Sequence, residues 1–390
     1  MRVVIYSSPF FMDSDLPYLS AQKQNIEDLF YILDLAPYSL RSTVLNIKEQ
    51  YPKSGIYKAS IYKELDIFSE FINLDKVFVV NRISQKGYSL SNIILNIKLF
   101  FLFIKLRIDV LQITNWFDYS RLYFYLLRKK IIIATHDPLP HTGETSLDDF
   151  YRMIALKICR NFLIFNSFQK DEFIERYKLQ SKNVFVTRFG VFNYMKCFIS
   201  NKKNNGYKNP YILYFGRISP YKGIEFLLEA MKEVHHKHPN VKLVVAGNGK
   251  YYFDKTEYEK LPFIVIQNRF IPIGELAQYI EGCLFTICPY TDATQSGVIS
   301  TSFGLSKPVI ATNVGGLSEM IDHGKTGILI EPKNTLQLTE SICELLEDEA
   351  KLKMMENTIQ NRYFNGGESW DSIAKEIKQF YTVMKKEVNS

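Results

Sequence analysis

Cysteine is scarce and scattered in this chain. Cys159, Cys197, Cys283, Cys288 and Cys343 are odd in number and form no Cys-x-x-Cys pair, which excludes a disulfide framework and reads as reduced, structural thiols. No histidines cluster with them at metal-ligand spacing. Long apolar runs are missing too: the greasiest stretch, Ile93 to Val110, is broken by Lys98, Lys105 and Arg107, short of the roughly 18 uncharged residues a membrane span needs. It is expected to form a helix buried against a sheet, with an amphipathic helix on a membrane surface as the alternative. The opening MRVVIYSSPFF lacks the apolar core and cleavage site of a signal peptide and reads as a first buried strand, an expectation that favours the cytoplasm, with any peripheral membrane contact at the inner face of the plasma membrane. The net charge of +7 comes without a basic stripe or nucleic-acid module, which excludes nucleic acid as a partner and suits phosphorylated ligands or anionic lipid.

What is present is a folded α/β protein. At 390 residues, 46% hydrophobic and 23% charged, the chain is long enough for two domains and too apolar for extended disorder. Short β-branched runs at Val3-Ile5, Val77-Val80, Val110-Ile113, Ile131-Ala134, Phe162-Phe165 and Val184-Val186 alternate with helical patterns, the signature of parallel strands with crossover helices. Ser200 to Pro210 (SNKKNNGYKNP) is polar and turn-rich, as an interdomain linker would be. The alternation restarts at Tyr211-Phe215, Val241-Ala246, Phe263-Ile266, Phe285-Cys288, Pro308-Ala311 and Gly327-Ile330, and the chain ends in a helical pattern after Ser369. The expected organisation is two Rossmann-like, doubly wound α/β domains, 1–199 and 207–368, facing a central cleft, with 369–390 a helix packing back on one of them. Ligands of such sheets bind at the carboxyl ends of the strands, so strand-exit loops matter most.

Three such loops in the second half point to a bound diphosphate. Tyr211-Ile-Leu-Tyr-Phe-Gly-Arg-Ile-Ser-Pro-Tyr-Lys-Gly223 is a strand running into Gly216, then Arg217 and Lys222 ahead of an amphipathic helix. A planar guanidinium fork and a compact ammonium on one rigid loop suit a leaving diphosphate; a solvated basic loop is the competing account. Val241 to Gly249 is a buried strand ending in Gly247 and Gly249, which let backbone turn tightly near a ligand. Cys288 to Ile299 (CPYTDATQSGVI) reads as strand, hydroxyl-rich loop and helix start. Unpaired N–H groups around Ser296, Gly297 and Val298 would form an anion site, although Thr294 or Ser296 would equally serve as a simple N-cap. In the first half, Thr135 to Glu144 carries His136, Asp137, His141 and Glu144 on one strand-exit loop, a pairing for acid–base work or for turn capping.

The Gly-Arg…Lys-Gly segment GRISPYKG resembles that of retaining glycosyltransferases of the large family four, of GT-B fold, and the resemblance extends over nearly the whole chain. It implies that Arg217 and Lys222 bind the donor pyrophosphate, that Arg269 and Phe270 in the loop Asn268 to Leu276 meet the nucleotide base, and that His136 lies near the donor sugar or the acceptor as a catalytic residue, with His141 and Glu144 as the second candidates, at the acceptor. Most of the family carries two glutamates seven residues apart in the donor-sugar loop; here the equivalent places hold Ala293 or Thr294 and Thr301 or Ser302. The ATQSGV form resembles a variant of the family, in which Thr294, Gln295 and Thr301 would take the sugar and ribose contacts. The first loop, Ser7 to Tyr18, lacks the diglycine of many relatives; Ser7, Asp13 and Ser14 are expected to contact acceptor. Phe189 stands where relatives place the histidine of a His-Gly-Val segment.

The expected reaction moves a hexosyl group from a nucleoside-diphosphate sugar to a glycan or lipid-linked acceptor. The resemblance implies retention of configuration and no metal, and no Asp-x-Asp motif lies beside the donor loops. The sugar nucleotide is a co-substrate, and no other cofactor is expected. Two rivals stand: a non-catalytic sugar-nucleotide-binding protein, and a sugar-nucleotide epimerase of the same fold.

Overall fold

The computed structural model describes residues 1–116, 119–135, 138–140, 146–165, 167–199, 209–293 and 296–389. Contacts divide the chain into two compact units, Met1–Gly190 with Trp370–Ser390, and Val191–Ser369. The division falls after Gly190, ahead of the polar stretch at 200–210.

The first unit is built on an eight-stranded sheet. Its strands are β1 (Arg2–Ser7), β2 (Asp28–Leu35), β3 (Gly55–Lys58), β4 (Val77–Asn81), β5 (Val110–Thr114), β6 (Ile131–Thr135), β7 (Asn161–Ile164) and β8 (Val184–Val186). They lie in the order β3-β4-β2-β1-β5-β6-β7-β8. All pairs are parallel except β3 against β4. The central strands are buried on both faces, as a parallel sheet covered by helices requires, and so read as continuous apolar runs. Two strands differ from the sequence expectation by being there at all: β2 and β3. Strand β2 carries Asp34 into the interior, where Arg82 meets its carboxylate with two bonds of 2.7 and 2.9 Å. That pairing makes the buried charge tolerable.

The second unit contains β9 (Tyr211–Phe215), β10 (Lys242–Gly247), β11 (Ile264–Asn268), β12 (Thr286–Cys288), β13 (Val309–Thr312) and β14 (Gly327–Ile330). Their order is β11-β10-β9-β12-β13-β14 and every pair is parallel. Counted within the unit this is 3-2-1-4-5-6, the doubly wound order whose direction reverses between the first and fourth strands. The two-sheet α/β class expected from the sequence is therefore the fold observed.

The last helix, Trp370–Asn389, returns to the first unit and lies against the helix Met12–Asn25. A buried chain of hydroxyls fixes it: Tyr381 donates to Gln112 Oε1 at 2.5 Å and lies 2.6 Å from the Tyr18 hydroxyl. The Gln22 amide nitrogen Nε2 donates to the Ala374 carbonyl at 2.9 Å. At its edge Lys385 reaches Asp109 at 3.0 Å. Gly190 lies so close to Trp370 that a Cβ there would fall 2.3 Å from the indole.

The apolar stretch after Ile93 forms the helix Leu90–Lys105, but only one side of it is buried. Leu95, Leu99 and Phe103 enter the core with Asn92 and Asn96, while Leu90, Ile93, Ile94, Ile97, Phe101 and Ile104 are exposed. The buried asparagines explain why the burial expected from composition is incomplete: Asn96 accepts from Arg82 at 2.7 Å, and Asn92 donates to the Ser84 and Lys86 carbonyls at 3.0 and 2.9 Å. No helix among the described residues is long and apolar enough to cross a membrane.

Candidate functional site

Strands β9 and β12 flank the reversal point of the second sheet, and their exit loops are joined directly. Gly216 leaves β9 with a φ of 121°, a backbone conformation glycine adopts without strain. Gly223 (φ 60°) closes the following turn, and a Cβ on it would fall 2.0 Å from the Pro289 carbonyl oxygen just past β12. The Thr291 N–H donates to the Tyr221 carbonyl at 2.8 Å across the same seam.

This seam positions Lys222. Its ammonium lies 3.6 Å from the centre of the Tyr290 ring and 5.0 Å from that of Tyr221. Burial pushes its pKa down to about 8, with the Cys288 thiol pulling upward and Arg217 pushing further down. It is still a cation at neutral pH, held among aromatic faces, with no ion pair to a carboxylate among the described residues. Arg217 is exposed on the same loop.

The far edge of the Tyr290 side chain meets the other expected anion site. Ser296 Oγ lies 3.4 Å from the Tyr290 hydroxyl, and Ser296 is the cap residue of the helix Gly297–Gly304 without bonding that helix's N–H groups through its side chain. The Ile299 N–H donates to the Ser296 carbonyl at 3.1 Å, and the Gly297 and Val298 N–H groups ahead of it have no side-chain cap, as at an anion-binding helix start. Gly297 is exposed, and Val298 is within van der Waals reach of where a Gly216 Cβ would stand. Tyr290 thus links Lys222 to Ser296, and Val298 brings the same helix start to Gly216. Tyr290 is the residue that sequence reasoning missed; an aromatic immediately after a strand, two loops from a lysine, was its only signal.

Other expected residues have different surroundings. The Thr301 hydroxyl donates back to the Gly297 carbonyl at 2.6 Å and is nearly buried, so its own helix engages it. Gly247 is explained by backbone packing, since a Cβ there would fall 1.8 Å from the Gly216 carbonyl oxygen. Gly249 approaches Ile218 in the same way. Arg269 is paired with Glu275 by both guanidinium arms, one of them at 3.0 Å, and the Arg269 charge holds the Glu275 carboxyl below its usual range. Phe270 is not core: two thirds of it (66%) is exposed. Beside this loop, Asn248, Lys250, Tyr251 and Asn268 line an open groove at the carboxyl ends of β10 and β11.

In the first unit, Ser7 ends β1 and is buried, while Asp13 and Ser14 open the helix Met12–Asn25. Burial pushes the Asp13 carboxyl up to about 6, against the Ser14 N–H, which bonds it at 2.8 Å. The neighbouring Asp15, unremarked in the sequence, is the more perturbed group: burial raises it to about 7 against the Ser7 and Tyr31 hydroxyls, and Tyr31 bonds it at 3.0 Å. It lines a small pocket with Ser14, Tyr18, Gln112, Thr114 and Trp370. Phe189 packs edge-on against Phe165 and Trp370. His136, His141, Glu144, Thr294 and Gln295 lie outside the described residues. Among those described, no group of His, Cys, Asp and Glu has the arrangement of a metal site.

Residues 209–348 match the family model for glycosyl transferases group 1. The matched stretch lies within the second unit and includes Gly216, Arg217, Lys222, Tyr290 and the start of the helix Gly297–Gly304. An uncharacterized glycosyltransferase of Methanocaldococcus jannaschii is 30% identical over 177 residues, covering 43% of this chain and 47% of the relative. The chain thus spans about half the length of such curated relatives. Among solved structures, sucrose-phosphate synthase from Thermosynechococcus elongatus superposes with a TM-score of 0.64 at 14% identity, over 99% of this chain and 100% of that one. HepE of Anabaena, in complex with UDP-glucose, gives 0.64 at 15% identity, over 98% and 100%. At such identities the likeness is one of fold, and it extends over both units.

Proposed function

We propose that this protein is a glycosyltransferase that moves a hexosyl group from a nucleoside-diphosphate sugar to a glycan or lipid-linked acceptor, with retention of configuration and without a metal. The observation that carries the proposal is the joining of the β9 and β12 exits, with Lys222 over Tyr290 and the uncapped start of Gly297–Gly304 beside the same ring. The match to the group 1 model over this segment and the UDP-glucose complex of a protein with the same fold support it.

The chemistry follows from charge. As the bond between the anomeric carbon and the diphosphate oxygen breaks, its electron pair leaves with the diphosphate, while the sugar becomes oxocarbenium-like. Preformed donors aimed at the developing charge lower that barrier. In this reading Lys222, Arg217 and the Gly297–Gly304 N–H groups supply that stabilisation, and no carboxylate is needed beside them. Asn248 and Asn268 offer neutral hydrogen-bonding groups for a base, with the Phe270 ring nearby in sequence and exposed. His136 would act at the sugar, and Asp13, Ser14 and Asp15 at the acceptor.

Titration calorimetry with a panel of nucleoside diphosphates and their sugars, followed by product analysis with and without acceptor, tests the proposal. Micromolar binding and transfer that stop on adding Lys222→Ala and Arg217→Ala are expected, with the product anomer read by NMR. Conversion of donor sugar without acceptor would assign an epimerase, and binding without turnover a non-catalytic protein.

A further inference from the structure

The helix Leu90–Lys105 buries Asn92 and Asn96 with Leu95, Leu99 and Phe103, and leaves a second set of apolar residues outside. Leu90, Ile93, Ile94, Ile97, Phe101 and Ile104 are all exposed, Leu90 to 73% and Phe101 to 62%. At about 100° per residue these six positions fall within an arc of about 100°, a continuous stripe along the helix. Single exposed apolar side chains are ordinary, but a contiguous stripe marks an interaction surface. Nor can the helix roll over to hide it. Turning it would break the Arg82 bond to Asn96 and the two Asn92 bonds to backbone, and would strip a partner from a buried guanidinium.

Charge identifies what the stripe fits. Lys86, Lys98, Lys105 and Arg107 are exposed on or beside the helix, and the sequence holds no Asp or Glu between Asp75 and Asp109. The helical segment Tyr119–Lys130 packs against this helix and adds exposed Leu126, Arg128 and Lys129, again with no acidic residue from Tyr119 to Thr135. An apolar stripe bordered by cations, with no acidic residue in either described helical segment, matches a bilayer interface, where acyl chains take the stripe and lipid phosphates the cations.

We propose that this face of the first unit docks on an anionic lipid bilayer, with Leu90–Lys105 lying in the plane of the interface. The proposal stands on the first unit alone and does not depend on the reaction assigned above. The intact chain is incubated with vesicles of phosphatidylcholine, with or without phosphatidylglycerol, and separated by flotation. Binding to the anionic vesicles is expected to exceed binding to the neutral ones roughly tenfold and to weaken as salt is raised. Ile97→Asp with Phe101→Asp should lower it at least about tenfold at an unchanged melting temperature, both side chains being exposed. Lys98→Glu with Lys105→Glu should abolish the preference for anionic vesicles and serves as the deciding pair if the first loses stability. Wild-type protein that ignores vesicles, or charge-reversed protein that binds as well as wild type, overturns the proposal. So does a dimer that falls apart in the aspartate variant without any vesicle binding, since the stripe would then join two copies of the chain.

Discussion

The Lys222 ammonium sits 3.6 Å from the centre of the Tyr290 ring, on a loop whose neighbouring cation is Arg217. A lysine so placed has surrendered part of its hydration for an aromatic face, which is why its pKa falls to about 8 from an ordinary 10.5. Because the folded value lies below the unfolded one, the charged form is penalised in the fold below about pH 8, and stability gains as pH rises from 8 toward 10.5. Diphosphate binding runs the other way, since it needs the ammonium. Affinity for a nucleoside diphosphate should hold between pH 7 and 8 and then weaken, by up to about tenfold for each further unit of pH. Calorimetry across that range checks it, and Lys222→Met should bind weakly at every pH while melting no lower than wild type.

Arg217 is exposed, and its removal should cost the fold little. Arg217→Ala is expected to weaken donor binding by roughly 1.5–3 kcal/mol, the size of a hydrogen bond to a charged partner. Thermal unfolding and calorimetry on the same preparation separate the two effects, and unchanged affinity would remove Arg217 from the site.

The resemblance puts Thr301 or Ser302 where most of the family carries a glutamate, and the Thr301 hydroxyl is bonded at 2.6 Å to the carbonyl of Gly297. Thr301→Val should keep both fold and donor affinity, because the helix supplies that carbonyl with a backbone bond regardless. Thr301→Glu should lower the melting temperature and weaken donor binding, by inserting a charge into a nearly buried position close to an anion site. A several-fold gain in turnover by the glutamate variant would instead mark the native loop as a degraded one and favour the non-catalytic reading.

Asp15 provides a test in the first unit. Its folded value near 7 lies above the unfolded value of 3.8, so the fold holds a proton that the open chain has released. Stability is lost as pH rises from about 4 to 7, and the full penalty applies above 7. Asp15→Asn should therefore match wild type near pH 4 and exceed it by about 2–4 kcal/mol at pH 8, in denaturant unfolding at both values. If Asp15 meets acceptor, the same variant loses transfer but keeps donor binding.

The sheets were largely legible because parallel strands buried on both faces leave unbroken apolar runs. All six strands of the second unit lie where such runs predict them, and β9 and β14 match to the residue. Strand β2 escaped because Asp34 interrupts its pattern, and the charge that excuses it, Arg82, lies 48 residues away. Edge strand β3 is only four residues long. The site was legible in its cations and glycines, which follow from local loop chemistry. What pairs with what was not: neither the capture of Arg269 by Glu275 nor the meeting of Lys222 with Tyr290 has a signature at fixed spacing. The asparagines of Leu90–Lys105 were hidden likewise, since composition cannot say which side of a helix is the inner one.

The return of Trp370–Asn389 to the first unit makes the second unit an insertion. On the ribosome, every residue of Val191–Ser369 is made before the helix that supplies Tyr381 to Gln112 and Tyr18. The half of the protein that is synthesised first is therefore the half completed last. It follows that no single cut yields both halves intact: a fragment ending at Gly190 would leave Tyr18 and Gln112 facing water, whereas residues 191–369 carry their whole sheet with them.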